Sequence, residues 1–142
     1  MNVSQIMTTS PAHCEPTTSL QQVAKMMEQH DCGLIPVTDS SDSTHLQGVV
    51  TDRDIVVRVI AAGRDPATAT AADCMSQPVT TITGETPIED AVRLMESHQV
   101  RRLPVTDEHG SLVGMVAQAD IALEVDDSKT AEVVREVSRP AH

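Results

Sequence analysis

The stretch Gly48-Val49-Val50-Thr51-Asp52-Arg53-Asp54 sets a hydroxyl, a guanidinium and two carboxylates directly behind an apolar run. If Thr51 closes a buried strand, it can cap the helix that follows, with Asp54 as the third helical residue. The N–H groups at such a helix start, together with the dipole, attract anions. Arg53 adds a cation that can grip phosphate through two parallel hydrogen bonds. A carboxylate such as Asp54 can accept from both hydroxyls of a ribose. Thr51, Arg53 and Asp54 can therefore hold a ribose phosphate between them. The same Thr-x-x-Asp spacing is also an ordinary capping combination that needs no ligand. A second cationic spot is the pair Arg101-Arg102, two of only ten Lys and Arg residues in a chain of net charge −11. The plainer reading of that pair is a solvated stretch of surface.

Other reactive residue types are present without the spacing that chemistry needs. Cys14, Cys32 and Cys74 are odd in number and far apart, and no C-x-x-C pair occurs. A zinc site or a disulfide framework is not expected. A cysteine nucleophile needs a base, and His13 is the immediate neighbour of Cys14. Adjacent residues on a strand point to opposite faces, so that pair is poorly placed. The three thiols are read as small packing residues. The six histidines show no H-E-x-x-H or similar metal spacing. His30 and His98 are expected at helix C-terminal ends, where a cation is favourable. No cofactor, no metal and no catalytic residue is expected, so the chain is not read as an enzyme.

Composition narrows the class further. The chain has 142 residues, enough for one compact domain or two small units sharing a core. With 10 basic and 21 acidic residues it is no general nucleic-acid binder, whose affinity rests on cations. No apolar run approaches the roughly 18 residues of a membrane span, and the N-terminus does not read as a secretion signal. No membrane association is expected, and the cysteine usage suggests a cytoplasmic protein with reduced thiols. There is no Phe, Tyr or Trp. No ring is available for stacking a base, and the core must be built from Val, Ile, Leu, Met and Ala.

The elements that position these residues occur twice. Leu20–Asp39 lies over Ile88–Asp107 at an offset of 68, with identities at Met27, Glu28, His30, Pro36, Val37, Thr38 and Asp39. Gly48–Ile55 lies over Gly114–Ile121 at an offset of 66. Val3–Met7 has its counterpart in Ala71–Met75. A unit of roughly 60 residues buries little surface alone, so the copies are expected to complete each other's core. Each copy reads β-α-β-β-α, an α+β arrangement with short sheets. Ala12–Cys14 and Val79–Ile82 are short strand candidates. The first helices carry the stripes Leu20, Val23, Ala24, Met27 and Ile88, Ala91, Val92, Met95. Thr18 with Gln21, and Thr86 with Pro87 and Glu89, are the expected caps. Gly33–Val37, Arg102–Val105, Gln47–Val50 and Leu112–Val116 read as strands. A second helix covers about Asp52 to Ala62, with Ile55, Val56, Val59 and Ile60 as its apolar side and Gly63 as its stop. The expected divisions are residues 1–63, a linker at 64–72, residues 73–124, and a tail at 125–142. Asp126–Arg139 is either a short helix or a loose tail.

The ordered set resembles the CBS domain, named after cystathionine β-synthase, in the tandem stand-alone bacterial form called a Bateman module. The residues that carry the resemblance are Ile6-Met7 and Cys74-Met75, the segments Ile35–Asp39 and Leu103–Asp107, and Gly48–Asp54. The last fits the pattern G-h-h-[ST]-x-x-[DN], where h is apolar. The likeness spans about residues 3 to 124. It implies two repeats packed with pseudo-twofold symmetry through their short sheets, a homodimer of two such pairs, and clefts for AMP, ADP, ATP or S-adenosylmethionine. It implies regulation of a partner rather than catalysis, and the regulated protein is expected to be a separate, unidentified polypeptide.

Carried over position by position, one cleft combines Val49, Thr51, Arg53 and Asp54 with Val79, Thr80, Arg101, Arg102, Leu103 and Pro104. The other combines Met115 and Asp120 with Ala12, His13, Leu34, Ile35 and Pro36. This second cleft departs from the pattern. Ala117 replaces the hydroxyl, Ala119 stands at the place of Arg53, and Gly33-Leu34 stands at the place of Arg101-Arg102. One competent nucleotide site per chain is therefore expected, with the second empty or taking an uncharged adenosyl group. Without aromatic rings, adenine would be clamped by aliphatic side chains such as Val79 and Pro104 and read by main-chain groups. The alternative is a structural dimerisation module with vestigial clefts.

Overall fold

The computed structural model describes residues 1–40 and 43–125. The expected C-terminal element at 126–139 lies outside the described residues. In chain order, a single 3-10 turn (Val3–Gln5) leads to a two-residue strand β1 (Thr8–Thr9), helix α1 (Leu20–His30) and the strands β2 (Leu34–Ser40) and β3 (Ser43–Thr51). Helix α2 (Asp52–Ile55) continues as a wider π-helical turn, Val56–Ile60. The second copy opens with α3 (Ala71–Cys74), followed by α4 (Ile88–His98), β4 (Arg102–Thr106) and β5 (Leu112–Ala117). Residues 118–125 are helical and form α5.

β2 and β3 form an antiparallel hairpin in the register Leu34↔Thr51 and Val37↔Gly48. β4 and β5 repeat it with Arg102↔Ala117 and Val105↔Gly114. Successive strand residues face opposite sides. Ile35, Val37 and Val50 accordingly enter one apolar core, and Leu103, Val105 and Val116 a second. Thr51 and Ala117 fall on the opposite faces of their strands, toward the loops that carry the candidate site. The hairpins are tied together where Leu46 N–H donates to the Gly110 carbonyl at 3.1 Å, beside the bridge His45↔Ser111.

The two cores are completed crosswise. Val3, fully buried, belongs to the core of copy two, with Ile6 and Met7 packed against it. Ala71 and Cys74 belong to the core of copy one. The opening segment of each copy thus fills the other, which answers the shortage of apolar surface in a 60-residue unit. Glycine in each late strand makes this possible. A Cβ on Gly48 would lie 3.0 Å from Met75 Sδ and from the Ser76 carbonyl, and one on Gly114 would lie 2.5 Å from Met7 Sδ. Residues 64–72 pack as well: Leu20 N–H donates to the Ala69 carbonyl and Ala71 N–H to the Thr18 carbonyl, both at 2.9 Å.

Several local expectations are corrected. Ala12–Cys14 and Val79–Ile82 are not strands; each contributes one parallel bridge, Cys14↔Val37 and Ile82↔Val105. α1 is capped by Ser19, whose hydroxyl accepts from Gln22 N–H at 3.2 Å, and α4 begins behind Pro87 with no side-chain cap. Thr18 and Thr86 instead close the preceding turns, accepting from Glu15 N–H and Thr83 N–H. Of the expected apolar side of the second helix only Ile55 and Val59 are buried; Val56 is 54% and Ile60 56% exposed. Ala24 is exposed too. His30 and His98 do end their helices, each followed by a residue at positive φ (Asp31, 48°; Gln99, 54°) that closes the last turn.

Candidate functional site

β3 ends and α2 begins in a reciprocal capping box. Thr51 Oγ1 accepts from Asp54 N–H at 3.0 Å, and Asp54 Oδ2 accepts from Thr51 N–H at 3.0 Å. The capping role of Thr-x-x-Asp is thus real. The Asp54 carboxylate has two further neighbours. The Ser76 hydroxyl donates to both of its oxygens, at 3.2 and 3.4 Å. Arg58, one helical turn on, brings Nε to 3.8 Å from Oδ1, and its Nη1 donates to the Cys74 and Met75 carbonyls. Asp54 is buried as a result, with only 12% of its side chain exposed. Copy one's carboxylate is therefore held by the opening of copy two. Val49 stands at the same junction, exchanging backbone hydrogen bonds with Ser76.

Between the copies lies a cavity of about 1400 Å³, which Thr51, Arg53, Arg101 and Arg102 all line. Three of these are guanidinium groups, and none has an ion-pair or hydrogen-bond partner among the described residues. Arg58, Arg64 and Arg93, the other described arginines, each face a carboxylate. In a chain of net charge −11, three arginines against Asp31 and Asp52 leave the lining of this hollow one positive charge ahead. Asp31, Asp52 and His98 share the lining.

The remaining residues of the first expected cleft, Val49, Asp54, Val79, Thr80, Leu103 and Pro104, are not among those that line this cavity. Val79 and Thr80 are half-buried. The backbone N–H and C=O groups of Val79, Thr80 and Thr81 have no partner among the described residues, which leaves main-chain donors and acceptors open at the place expected to read a base edge. Pro104 is buried in β4, its carbonyl accepting from Ile82 N–H. Leu103, 1% exposed, points into the core of copy two. Of the second expected cleft, Leu34 lines the same cavity, with Gly33, Ala117 and Ala119 beside it. The phosphate-oriented ends of both expected clefts thus open into one space, with every cation on one side of the comparison. Ile35, Pro36 and Met115 are buried in their hairpins. Ala12 is half-buried. His13 Nδ1 lies 3.1 Å from the Pro11 carbonyl and lines a separate hollow of about 260 Å³ with Cys14 and Glu15. Asp120 is half-buried and its carboxylate has no hydrogen-bond partner among the described residues.

Sequence reasoning passed over Ser76 and Arg58. Arg58 was legible as the i+4 partner of Asp54; Ser76 was not, because it meets Asp54 only through the crosswise packing. The thiols behave as packing groups. Cys14 is pushed up to about 12, first by burial and then by the neighbouring Cys74 and Glu15; Cys74 is raised by burial and by Asp54, against the opposing pull of Arg58. All three cysteines are free. Among the described residues no group of three or more His, Cys, Asp or Glu is placed to hold a metal, and no helix is long and apolar enough to cross a membrane.

The CBS domain family model matches residues 3–61 and 71–127, one match per copy. The chain belongs to the CBS domain family. Hypoxic response protein 1 of Mycobacterium tuberculosis is 38% identical over 122 residues, covering 86% of this chain and 83% of its own. A crystal structure of hypoxic response protein I with two coordinated zinc ions aligns at a TM-score of 0.77 over 86% of this chain and 97% of the other. The CBS domain-containing protein YhcV of Bacillus subtilis is 40% identical, covering 86% and 84%. CBSX2, solved in complex with AMP, is 25% identical with a TM-score of 0.77, covering 90% of this chain and 98% of the other. The two tandem CBS repeats account for the mixed helix-and-strand fold with its two small sheets.

Proposed function

We propose that this CBS pair is a regulatory module that takes one adenosine-containing nucleotide (AMP, ADP, ATP or S-adenosylmethionine) between its repeats and signals its presence to a separate partner protein. The observation that carries the reading is the cavity in which Arg53, Arg101 and Arg102 stand unpaired beside Thr51. Unpaired guanidinium groups converging on a hollow serve an anion better than they serve the fold. The open backbone at Val79–Thr81 suits a base edge, and CBSX2, similar in sequence and fold, is known with AMP. In this reading the repeats are residues 1–63 and 73–124, joined by 64–72. The module is non-catalytic and cytoplasmic.

Self-association is favoured by a separate observation. Val56, Val57 and Ile60 on the second helix of copy one and Leu123 on α5 are all more than half exposed. Val57 and Leu123 correspond at the offset of 66. A homodimer that covers both helices suits this apolar surface.

A thermal-shift panel of AMP, ADP, ATP, S-adenosylmethionine and NAD tests the reading, because a ligand that binds only the folded state stabilises it by about 2.7 kcal/mol at a hundredfold excess over Kd. One or more adenosine ligands should raise Tm by several degrees. Absence of any shift at millimolar concentration contradicts nucleotide sensing and leaves the dimerisation module.

A further inference from the structure

The contact between Ser76 and Asp54 has the geometry of a ligand contact made from within. The Ser76 hydroxyl donates to both oxygens of the carboxylate, at 3.2 and 3.4 Å. That is the position a ribose hydroxyl must take to share the same two oxygens. The rest of the carboxylate is already engaged. Oδ2 receives Thr51 N–H at 3.0 Å, and Arg58 stands 3.8 Å from Oδ1. Only 12% of the side chain remains exposed, so no second open face is left for a diol.

We propose that Ser76 is a built-in competitor for the ribose, an autoinhibitory contact that a nucleotide must displace to reach Asp54. This inference rests on the nucleotide reading above and deepens it. Displacement also has a mechanical consequence. Ser76 is joined to Val49 by two backbone hydrogen bonds, 2.8 and 3.3 Å long, and leads directly into Val79–Thr81, the stretch with open backbone groups. Freeing its hydroxyl loosens the side-chain tie between copy one's carboxylate and copy two's opening segment. Occupancy of the site is thereby reported as a change in how the repeats are joined.

The second copy supplies an internal contrast. Asp120 corresponds to Asp54 and Thr8 to Ser76 in the repeat alignment, yet Asp120 has no hydrogen-bond partner among the described residues. The competitor sits on the carboxylate next to Arg53, in the expected cleft that also carries Arg101 and Arg102.

Calorimetric titration of the full chain with ATP, compared for wild type, Ser76→Ala and Ser76→Thr, tests the proposal. Removing one charge-assisted competitor should tighten ATP binding roughly three- to tenfold in Ser76→Ala, while Ser76→Thr keeps the hydroxyl and stays near wild type. Inorganic tripolyphosphate, which meets the arginines and has no ribose, should bind wild type and Ser76→Ala alike. This control separates a competitor from a merely structural serine, whose loss would disturb both ligands. If Ser76→Ala binds ATP equally well or more weakly than a wild type that does bind it, the competitor is refuted and the nucleotide reading stands. If neither chain binds ATP nor any other adenosine ligand, the nucleotide reading itself has failed and the competitor falls with it.

Discussion

Replacing Arg53, Arg101 and Arg102 together by alanine separates the needs of the fold from the needs of the ligand. The three guanidinium groups make no hydrogen bond or ion pair among the described residues, and Arg53 and Arg101 are exposed while Arg102 is half-buried. Surface substitutions away from packing or networks usually change stability by no more than about 0.5 kcal/mol. The triple variant should therefore fold with a Tm within a few degrees of wild type. Ligand binding should respond far more strongly. A unit charge about 4 Å from a phosphate oxygen contributes ~1 kcal/mol in a water-like dielectric and about 4 kcal/mol at an effective dielectric of 20. The lower value suits the two exposed arginines, about fivefold in affinity each, and an intermediate value of ~2 kcal/mol suits Arg102, about thirtyfold. Together the loss is on the order of several hundredfold for ATP. Calorimetry at low and at high salt reads it directly. The wild-type affinity should fall as salt screens the site, since the Debye length shrinks to about 10 Å at 0.1 M, and the variant should show little salt dependence. A variant that binds ATP within twofold of wild type refutes the assignment of the cavity as the phosphate site. A variant that unfolds refutes the claim that these arginines are free of structural duty.

Further expectations follow from the packing. Gly48→Ala and Gly114→Ala press a Cβ against Met75 with the Ser76 carbonyl and against Met7, and each should cost about 1–3 kcal/mol in urea unfolding; an unchanged midpoint would contradict the crosswise fit. Leu103→Ala opens the core of copy two and should cost about 2–5 kcal/mol, which rules out an exposed, ligand-only role for that side chain. With its thiol held near 12, Cys14 is ionised in only about one molecule in ten thousand at pH 8; mass spectrometry after brief alkylation should find it unmodified in native protein and modified in urea. The same shift fixes a pH dependence. The folded thiol titrates above its ordinary value of 9.0, so its contribution is intact below pH 9 and fades as pH rises from 9 toward 12, where the unfolded chain gains a thiolate that the fold resists. Cys14→Ala should flatten that alkaline loss of stability, and an identical alkaline profile would refute the burial argument.

The parts of the fold written in local pattern were legible. The two hairpins, the two eleven-residue helices and their histidine ends follow from apolar spacing and from the repeat itself, because a doubled signal is read twice. What escaped was set by contacts between distant segments. Leu20 N–H is taken by the Ala69 carbonyl and Ile88 N–H by the Met1 carbonyl, so the caps expected at Thr18 and Thr86 shift one residue and those hydroxyls turn to the preceding loop. The Val56 and Ile60 stripe, correct in helical spacing, meets no core among the described residues. Of the candidate site, the residue types were legible and the arrangement only in part. Thr51, Arg53, Arg101 and Arg102 do share a cavity. The two expected clefts instead open into one space at their phosphate ends, because both strand-to-helix turns sit at the same junction between copies. Ser76 was invisible to a reading that treats each copy as a self-contained unit.

A crystal structure of the full chain grown with ATP shows where a nucleotide sits. The expected result is one nucleotide per chain, with ribose hydroxyls on Asp54 in place of the Ser76 hydroxyl, phosphates among Arg53, Arg101 and Arg102, and the base edge against Val79–Thr81. Nucleotide bound on Asp120 instead, or a Ser76–Asp54 contact still intact beneath a bound ribose, contradicts it.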